Sequence, residues 1–365
     1  MTERDVYRYG VVQLNEIYNV CVLDCSCYSK KSYKGSALLN SFDKYYRLEE
    51  FDSLKELITS GNFVLYVDLV STSNFNVFRM RKLFRKMKTK RLLYRLNDIP
   101  NFRKKERISI KLKKLFFSKS SLSTIYQKVL GKILLIITPR PDIALLAGAN
   151  ALKKYSNLAI KTFTTHSMDY ETYRKVNFSK TANSPERKYA VFLDQSAPDH
   201  PDYEFHDIEP PVSRENYYPA MLRFFEDMEK ICELEIIIAG HPKSQVGKEV
   251  WGDRSFIKGD TPKLVKNSCI VIAHYTTAIG FAVLSKKPVL QITSNEYIES
   301  IRKDRLKGFK EILNLRTVNI DEYSEKDITK EIFNIDKLAY SKYTDQYLKS
   351  ASLDLEDLWN WQKFV

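Results

Sequence analysis

Glycine is scarce in this 365-residue chain: there are eleven, and none builds a G-x-G-x-x-G fingerprint or a Walker loop. The Gly-rich turns by which many proteins cradle phosphates are therefore excluded. Cysteine is sparse too. Cys21, Cys25, Cys27, Cys232 and Cys269 are odd in number and contain no C-x-x-C pair, which fits a reducing cytosol rather than a disulfide framework, and Cys232 and Cys269, in or beside apolar runs, read as buried thiols. No D-x-D pair and no His/Cys metal spacing is present, so no metal is expected. No apolar run approaches the roughly 18 residues of a spanning helix. The start, Met1 to Asp5, lacks the apolar stretch of a signal peptide, so a cytoplasmic protein, soluble or peripheral on the inner membrane face, is expected. There is no internal repeat of solenoid period.

What the chain does have is apolar substance and unevenly placed charge. With 44% hydrophobic residues it can bury sizeable cores, so wholesale disorder is excluded. The net charge is +14, but between Phe78 and Lys119 there are 17 Lys/Arg against 2 acidic residues, so one segment makes the protein basic. Over residues 75–119 these cations interleave with Phe75, Phe78, Phe84, Phe102, Leu112, Leu115, Phe116 and Phe117. Such a mixture suits an anionic membrane surface, each Lys/Arg contributing roughly 1 kcal/mol near acidic lipid. A solvated helix face with its apolar side in a core is the plain alternative. No RNA-binding signature accompanies the charge, and no nucleic acid is expected.

Short apolar runs alternate with helical patterns. Strands are expected at 20–24, 63–69, 91–96, 133–138, 142–147 and 160–164, and again at 189–194, 235–239, 269–273 and 288–292. Helices are expected at 51–58, after the cap region 70–74, at 214–232, and around 301–313 and 326–335. The pattern predicts an α/β fold with two Rossmann-like domains. The polar break near Asn183 sets the division: 1–183 an N-terminal domain, 184–340 a C-terminal one, and 341–365 a C-terminal helix packing back on the first.

The polar clusters sit where strands end, the ligand-binding edge of an open α/β sheet. Asp194 closes one strand and is followed by Gln195 and Ser196; Gly240-His241-Pro242-Lys243 follows a second; His274-Tyr275-Thr276-Thr277 follows a third. Imidazole, ammonium, hydroxyls and the N–H groups of a starting helix make a site for a phosphorylated ligand. His241 as a simple turn residue, His274 as a buried structural histidine and the Thr pair as a plain cap are the bland readings.

His241-Pro242 followed by Thr276-Thr277 resembles the His-Pro and later Ser/Thr-pair motifs of bacterial GT-B glycosyltransferases that use CMP-activated sugars, the sialyltransferases and Kdo transferases. CDP-glycerol glycerophosphotransferases have a related arrangement. The resemblance covers about sixty residues closely and implies two Rossmann-like domains facing across a cleft, acceptor on the N-terminal side and nucleotide-sugar donor on the C-terminal side. It implies no cofactor beyond that donor, and a glycan or glycolipid acceptor in surface-polysaccharide assembly (lipopolysaccharide or capsule). Donor contacts would fall to Asp194, Gln195, His241, Pro242, Lys243, His274, Thr276 and Thr277, with His241 stabilising the leaving phosphate. The sialyltransferases' acidic triplet is absent, so their base is not carried over. A base from the N-terminal side is sought among Asp24, Asp68, Asp98, His166 and Asp169, with His166 and Asp169 ahead because they follow a late strand. A glycerophosphotransferase or a non-catalytic basic binding protein on the same scaffold are the alternatives.

Overall fold

The computed structural model describes residues 3–25, 45–47, 50–70, 74–100, 122–178, 188–206, 208–244, 246–300 and 302–349. All pairs of strands in it are parallel, and an isolated antiparallel bridge joins His166 to Lys349. β1 (Val22–Asp24) pairs with β2 (Tyr45–Arg47). A four-stranded sheet runs in sequence order: β3 (Leu65–Val67), β4 (Lys90–Arg95), β5 (Ile143–Ala147) and β6 (Lys161–Thr165). The second large sheet has six strands: β7 (Tyr189–Leu193), β8 (Glu235–Gly240), β9 (Ser255–Lys258), β10 (Ile270–Ala273), β11 (Val289–Thr293) and β12 (Thr317–Asn319).

Its spatial order is β12-β11-β10-β7-β8-β9. The chain enters in the middle at β7, steps outward through β8 and β9, then returns to the other side of β7 at β10. The order reverses there, and the crevice beyond the carboxyl ends of such strands is the ligand edge of a doubly wound sheet. The continuous apolar runs are explained by the layers: every residue of β7, β10 and β11 is buried, as parallel strands covered on both faces require. Helix Arg214–Cys232 supplies much of the cover, burying Tyr217, Tyr218, Met221, Phe224, Phe225 and Met228. Phe225 and the fully buried Trp251 meet Phe192 of β7 at ring distances of 5.3 and 5.5 Å.

Several expectations are corrected. Cys232 is half-buried at the end of its helix and Cys269, which stands just before β10, is exposed, so neither is a buried thiol. Residues 133–137 are not a strand but the last turns of helix Leu122–Ile137, closed by Thr138, whose N–H and hydroxyl both reach the Leu134 carbonyl. A six-residue apolar run carries too few positions to distinguish the two periods. No helix follows His241. Ser244 N–H closes a turn on the His241 carbonyl, and its hydroxyl donates to Val246 O, a side-chain bond that competes with a helix. Only the short 3₁₀ turn Lys248–Val250 precedes β9, a strand not anticipated, like β12 and helix Pro201–His206. Residues 326–335 hold two 3₁₀ turns, Glu325–Asp327 and Lys330–Phe333.

In the basic segment, helix Phe75–Lys86 turns Val77, Met80 and Phe84 into a core, Phe84 stacking on Tyr66 at 4.1 Å. Phe84 therefore faces inward, whereas Phe75 is 58% exposed. Phe102, Leu112, Leu115, Phe116 and Phe117 lie outside the described residues, as does the boundary near Asn183. Among the described residues no helix is long and apolar enough to cross a membrane.

At the far end, helix Lys337–Tyr343 runs into a π-turn, Thr344–Leu348, that packs on helix Gly148–Tyr155. Ser167 N–H donates to Leu348 O at 2.7 Å. Tyr173 on helix Met168–Phe178 donates to Leu284 O at 3.0 Å, joining elements of the two sheets.

Candidate functional site

The strand ends around the reversal point bring Asp194, Gln195, His241, Pro242, Lys243, Thr276 and Thr277 to one edge of the six-stranded sheet. Asp194 leaves β7 buried. Its carboxylate accepts the backbone N–H of Ser196 at 2.7 Å and that of His241 at 3.5 Å, tying the ends of two strands together. Burial pushes its pKa up to about 6 against those two bonds. Ser196 adopts the left-handed conformation, φ 51°, and its hydroxyl meets that of Ser244 at 3.2 Å. Gln195 accepts the Tyr275 N–H at 3.2 Å and so links β7 to β10. Asp194 and Gln195 thus set the loops in place.

His241 accepts the Lys243 N–H on Nδ1 at 3.2 Å. The next loop does the same: His200 accepts the Asp202 N–H on Nδ1 at 3.1 Å. The two imidazoles lie 4.6 Å apart, inclined at 57°. Asp202 and Lys243 pair at 3.3 Å. Around them stand cations. Lys258 donates to Ser244 O at 2.9 Å; Arg302 lies 5.9 Å from the Tyr203 ring and Arg305 5.8 Å from the Tyr275 ring. Of the carboxylates present, Asp199 is taken by Arg214 and Tyr218, and Asp202 by Lys243. Positive charge and N–H donors exceed negative charge at this edge, which therefore favours an anion.

Thr276 and Thr277 are half-buried in the turn before helix Ile279–Leu284. Their carbonyls accept from Ile279 and Gly280, and the Thr276 hydroxyl accepts from Ala278 N–H at 3.3 Å. They stand in the turn ahead of the N-cap residue Ala278 rather than capping the helix themselves, and only the Thr276 hydroxyl is engaged with the backbone there.

His274 belongs to the core. It is 0% exposed, its Nδ1 lies 2.8 Å from Ile292 O and its Nε2 2.9 Å from the Tyr217 hydroxyl. A carbonyl can only accept, so Nδ1 carries the proton and Nε2 accepts from Tyr217. Burial lowers its pKa to about 4. Both nitrogens are used inside the protein, which removes His274 from the ligand contacts expected of it.

The base candidates separate by partner. Asp24 accepts from Tyr45 OH at 3.0 Å. Asp68 holds Arg81 and Arg91 at 2.8 and 2.7 Å and is an ion-pair centre. Asp98 faces Lys154 at 3.8 Å. Asp169 receives Arg8 at 3.3 Å. His166, 4% exposed, sits beyond β6 with Nε2 2.8 Å from Glu171 Oε2. Burial opposes the Glu171 charge, but the His166 bond and the charges of His166, Lys175 and Arg174 outweigh it and lower its pKa. Sequence reasoning gave no site role to His200, Tyr203, Arg302, Arg305 or Glu171. One signal was present: His-Pro occurs twice, at 200–201 and at 241–242.

No protein-family model matches the chain, and no curated protein matches it. Solved structures do. A glycotransferase of kitacinnamycin aligns over 93% of this chain and 88% of its own at a TM-score of 0.50 and 10% identity. S. aureus MnaA bound to UDP aligns over 86% and 81% at a TM-score of 0.44 and 14% identity. The first of these, with the parallel two-sheet topology, shows the fold: α/β, with the two Rossmann-like sheets of the GT-B arrangement.

Proposed function

We propose that the protein is a glycosyltransferase that moves a sugar from a nucleotide-activated donor to a hydroxyl of a glycan. The observation that carries this reading is the surplus of cations and imidazole N–H donors at the reversal point of the six-stranded sheet, on a GT-B fold. Departure of a nucleotide leaves extra negative charge on its phosphate, and fixed donors at that position lower the barrier. His241 and Lys243 stabilise the leaving phosphate, while Thr276 and Thr277 border it. Asp194 and Gln195 hold the loops that carry these groups. The donor is a CMP-sugar, a preference resting on the His-Pro and Thr-pair motifs. The acceptor is a lipid-linked surface glycan, a preference resting on the basic segment 75–119 and its attraction to an anionic membrane. His166, backed by Glu171, is the base for the acceptor hydroxyl, and residues 1–183 form the acceptor side. No metal is used.

A thermal-shift panel of CMP, CDP, UDP, GDP and ADP tests the reading, because a ligand that binds only the folded state raises Tm by mass action. The expected result is a shift with CMP that is lost in His241→Ala and reduced in Thr276→Ala/Thr277→Ala. A shift with UDP or GDP instead keeps a glycosyltransferase and removes the CMP preference. No shift with any nucleotide overturns the proposal.

A further inference from the structure

His200 and His241 are built alike. Each begins a His-Pro dipeptide, His200-Pro201-Asp202 and His241-Pro242-Lys243. Each accepts on Nδ1 the backbone N–H two residues on, at 3.1 and 3.2 Å. A backbone N–H can only donate, so Nδ1 of both rings presents a lone pair, and in the neutral ring the proton resides on Nε2. The third residues of the two turns are tied by the Asp202–Lys243 ion pair at 3.3 Å, and the rings lie 4.6 Å apart. Two separate strand-end loops thus hold two imidazoles in the same tautomer, side by side.

That tautomer decides what the pair can hold. A neutral imidazole that ligates a metal through Nε2 needs its proton on Nδ1, where an amide N–H already points. The rings are therefore donors. Burial disfavours the His200 imidazolium; Asp202 opposes that, and Lys243 and Arg302 reinforce it. His200 stays a neutral N–H donor beside cations, with the Tyr203 ring 5.8 Å away.

We infer that His200 and His241 form a paired imidazole clamp, both donating Nε2–H to oxygens of one phosphate group. This rests on the reading of the strand-end cluster as the donor's phosphate site and adds to it a second contact residue, His200. Two fixed donors with Lys243 alongside suit a phosphate dianion better than one imidazole would, since hydrogen bonds to charged acceptors are the stronger kind.

The chain has only five histidines, so long-range ¹H–¹⁵N correlation on the labelled full-length protein can resolve each ring. His200→Asn and His241→Asn give the assignments. Both rings should show the Nε2–H tautomer without ligand, and both Nε2–H signals should move on titration with inorganic pyrophosphate. His200→Leu should weaken pyrophosphate binding about tenfold to a hundredfold. His200→Asn, which restores an N–H donor, should recover part of that loss, an effect a merely structural role would not produce. An Nδ1–H tautomer at either ring, or a response confined to His241, overturns the clamp. The two readings fail separately. Pyrophosphate bound by both rings while no nucleotide raises Tm leaves the clamp standing and removes the donor. A nucleotide bound with His200 unmoved does the reverse.

Discussion

A Cβ placed on Gly148 would lie 2.4 Å from the carbonyl oxygen of Gln346. Gly148 follows β5 with φ +73°, and the π-turn Thr344–Leu348 passes directly over it. The obstacles are backbone atoms of Gln346 and Tyr347, so none yields by a rotamer change. Left-handed geometry alone costs a non-glycine residue about 1–2 kcal/mol, and displacing the turn adds to that. Gly148→Ala should lower Tm by roughly 2 °C or more. At Gly280 the nearest obstacle is the Leu348 side chain at 3.0 Å, which can give, so Gly280→Ala should cost clearly less. Equal Tm losses for the two would show that the C-terminal turn does not rest on Gly148.

Tyr217 and His274 test whether the buried histidine is structural. Tyr217→Phe removes the donor to Nε2 and leaves a buried acceptor unsatisfied, at a cost of about 1–3 kcal/mol. Denaturant unfolding should register that loss while nucleotide binding stays unchanged. The pH dependence has a definite sign. The folded pKa of about 4 lies below the ordinary histidine value, so the contribution is fully present above about pH 6.5 and is lost as pH falls towards 4. His274 should show no titration by NMR between pH 5 and 8, and an imidazolium in that range would contradict its placement.

Asp194 acts in the opposite sense. Its folded pKa of about 6 lies above the unfolded carboxylate value, so the native state binds the extra proton. Stability from this group is full below about pH 4 and is lost as pH rises through 6, on the order of 3 kcal/mol in all. Asp194→Asn removes the titration but keeps a side chain of the same size. The stability of the wild type minus that of the variant should therefore fall as pH rises from 4 to 7. A difference that stays flat would mean that Asp194 titrates normally.

The sequence was most legible where one period holds over a whole element. The continuous apolar runs of β7, β10 and β11 and the 214–232 helix are fixed by burial on both faces or on one stripe, and the residues declare it. Residues 133–138 misled because Ile, Leu and Thr in a short run satisfy a strand and a helix end alike. The strand-end cluster was legible through His241, Lys243 and the Thr pair, since polar residues directly after apolar strands mark the ligand edge. His274 has the same sequence setting, yet a fully buried ring is distinguished only by what packs on it, here Tyr217 and the Ile292 carbonyl. Arg302 and Arg305 reach Tyr203 and Tyr275 through tertiary packing, which no local pattern encodes.

The His166–Glu171 pair offers the sharpest separation of chemistry from donor binding. Glu171 Oε2 at 2.8 Å from Nε2 orients the ring. If His166 takes the acceptor proton, His166→Ala should lower kcat by about 10²–10⁴ while the nucleotide Tm shift stays at its wild-type size, because the donor cluster lies at the ends of β7, β8 and β10. Glu171→Gln retains an acceptor near the ring but removes the charge that supports the imidazolium. It should therefore lower kcat as well, with the nucleotide Tm shift again at its wild-type size. His166→Ala with turnover intact, or with the nucleotide shift lost, would return this pair to a purely structural role and pass the search for the base to Asp169.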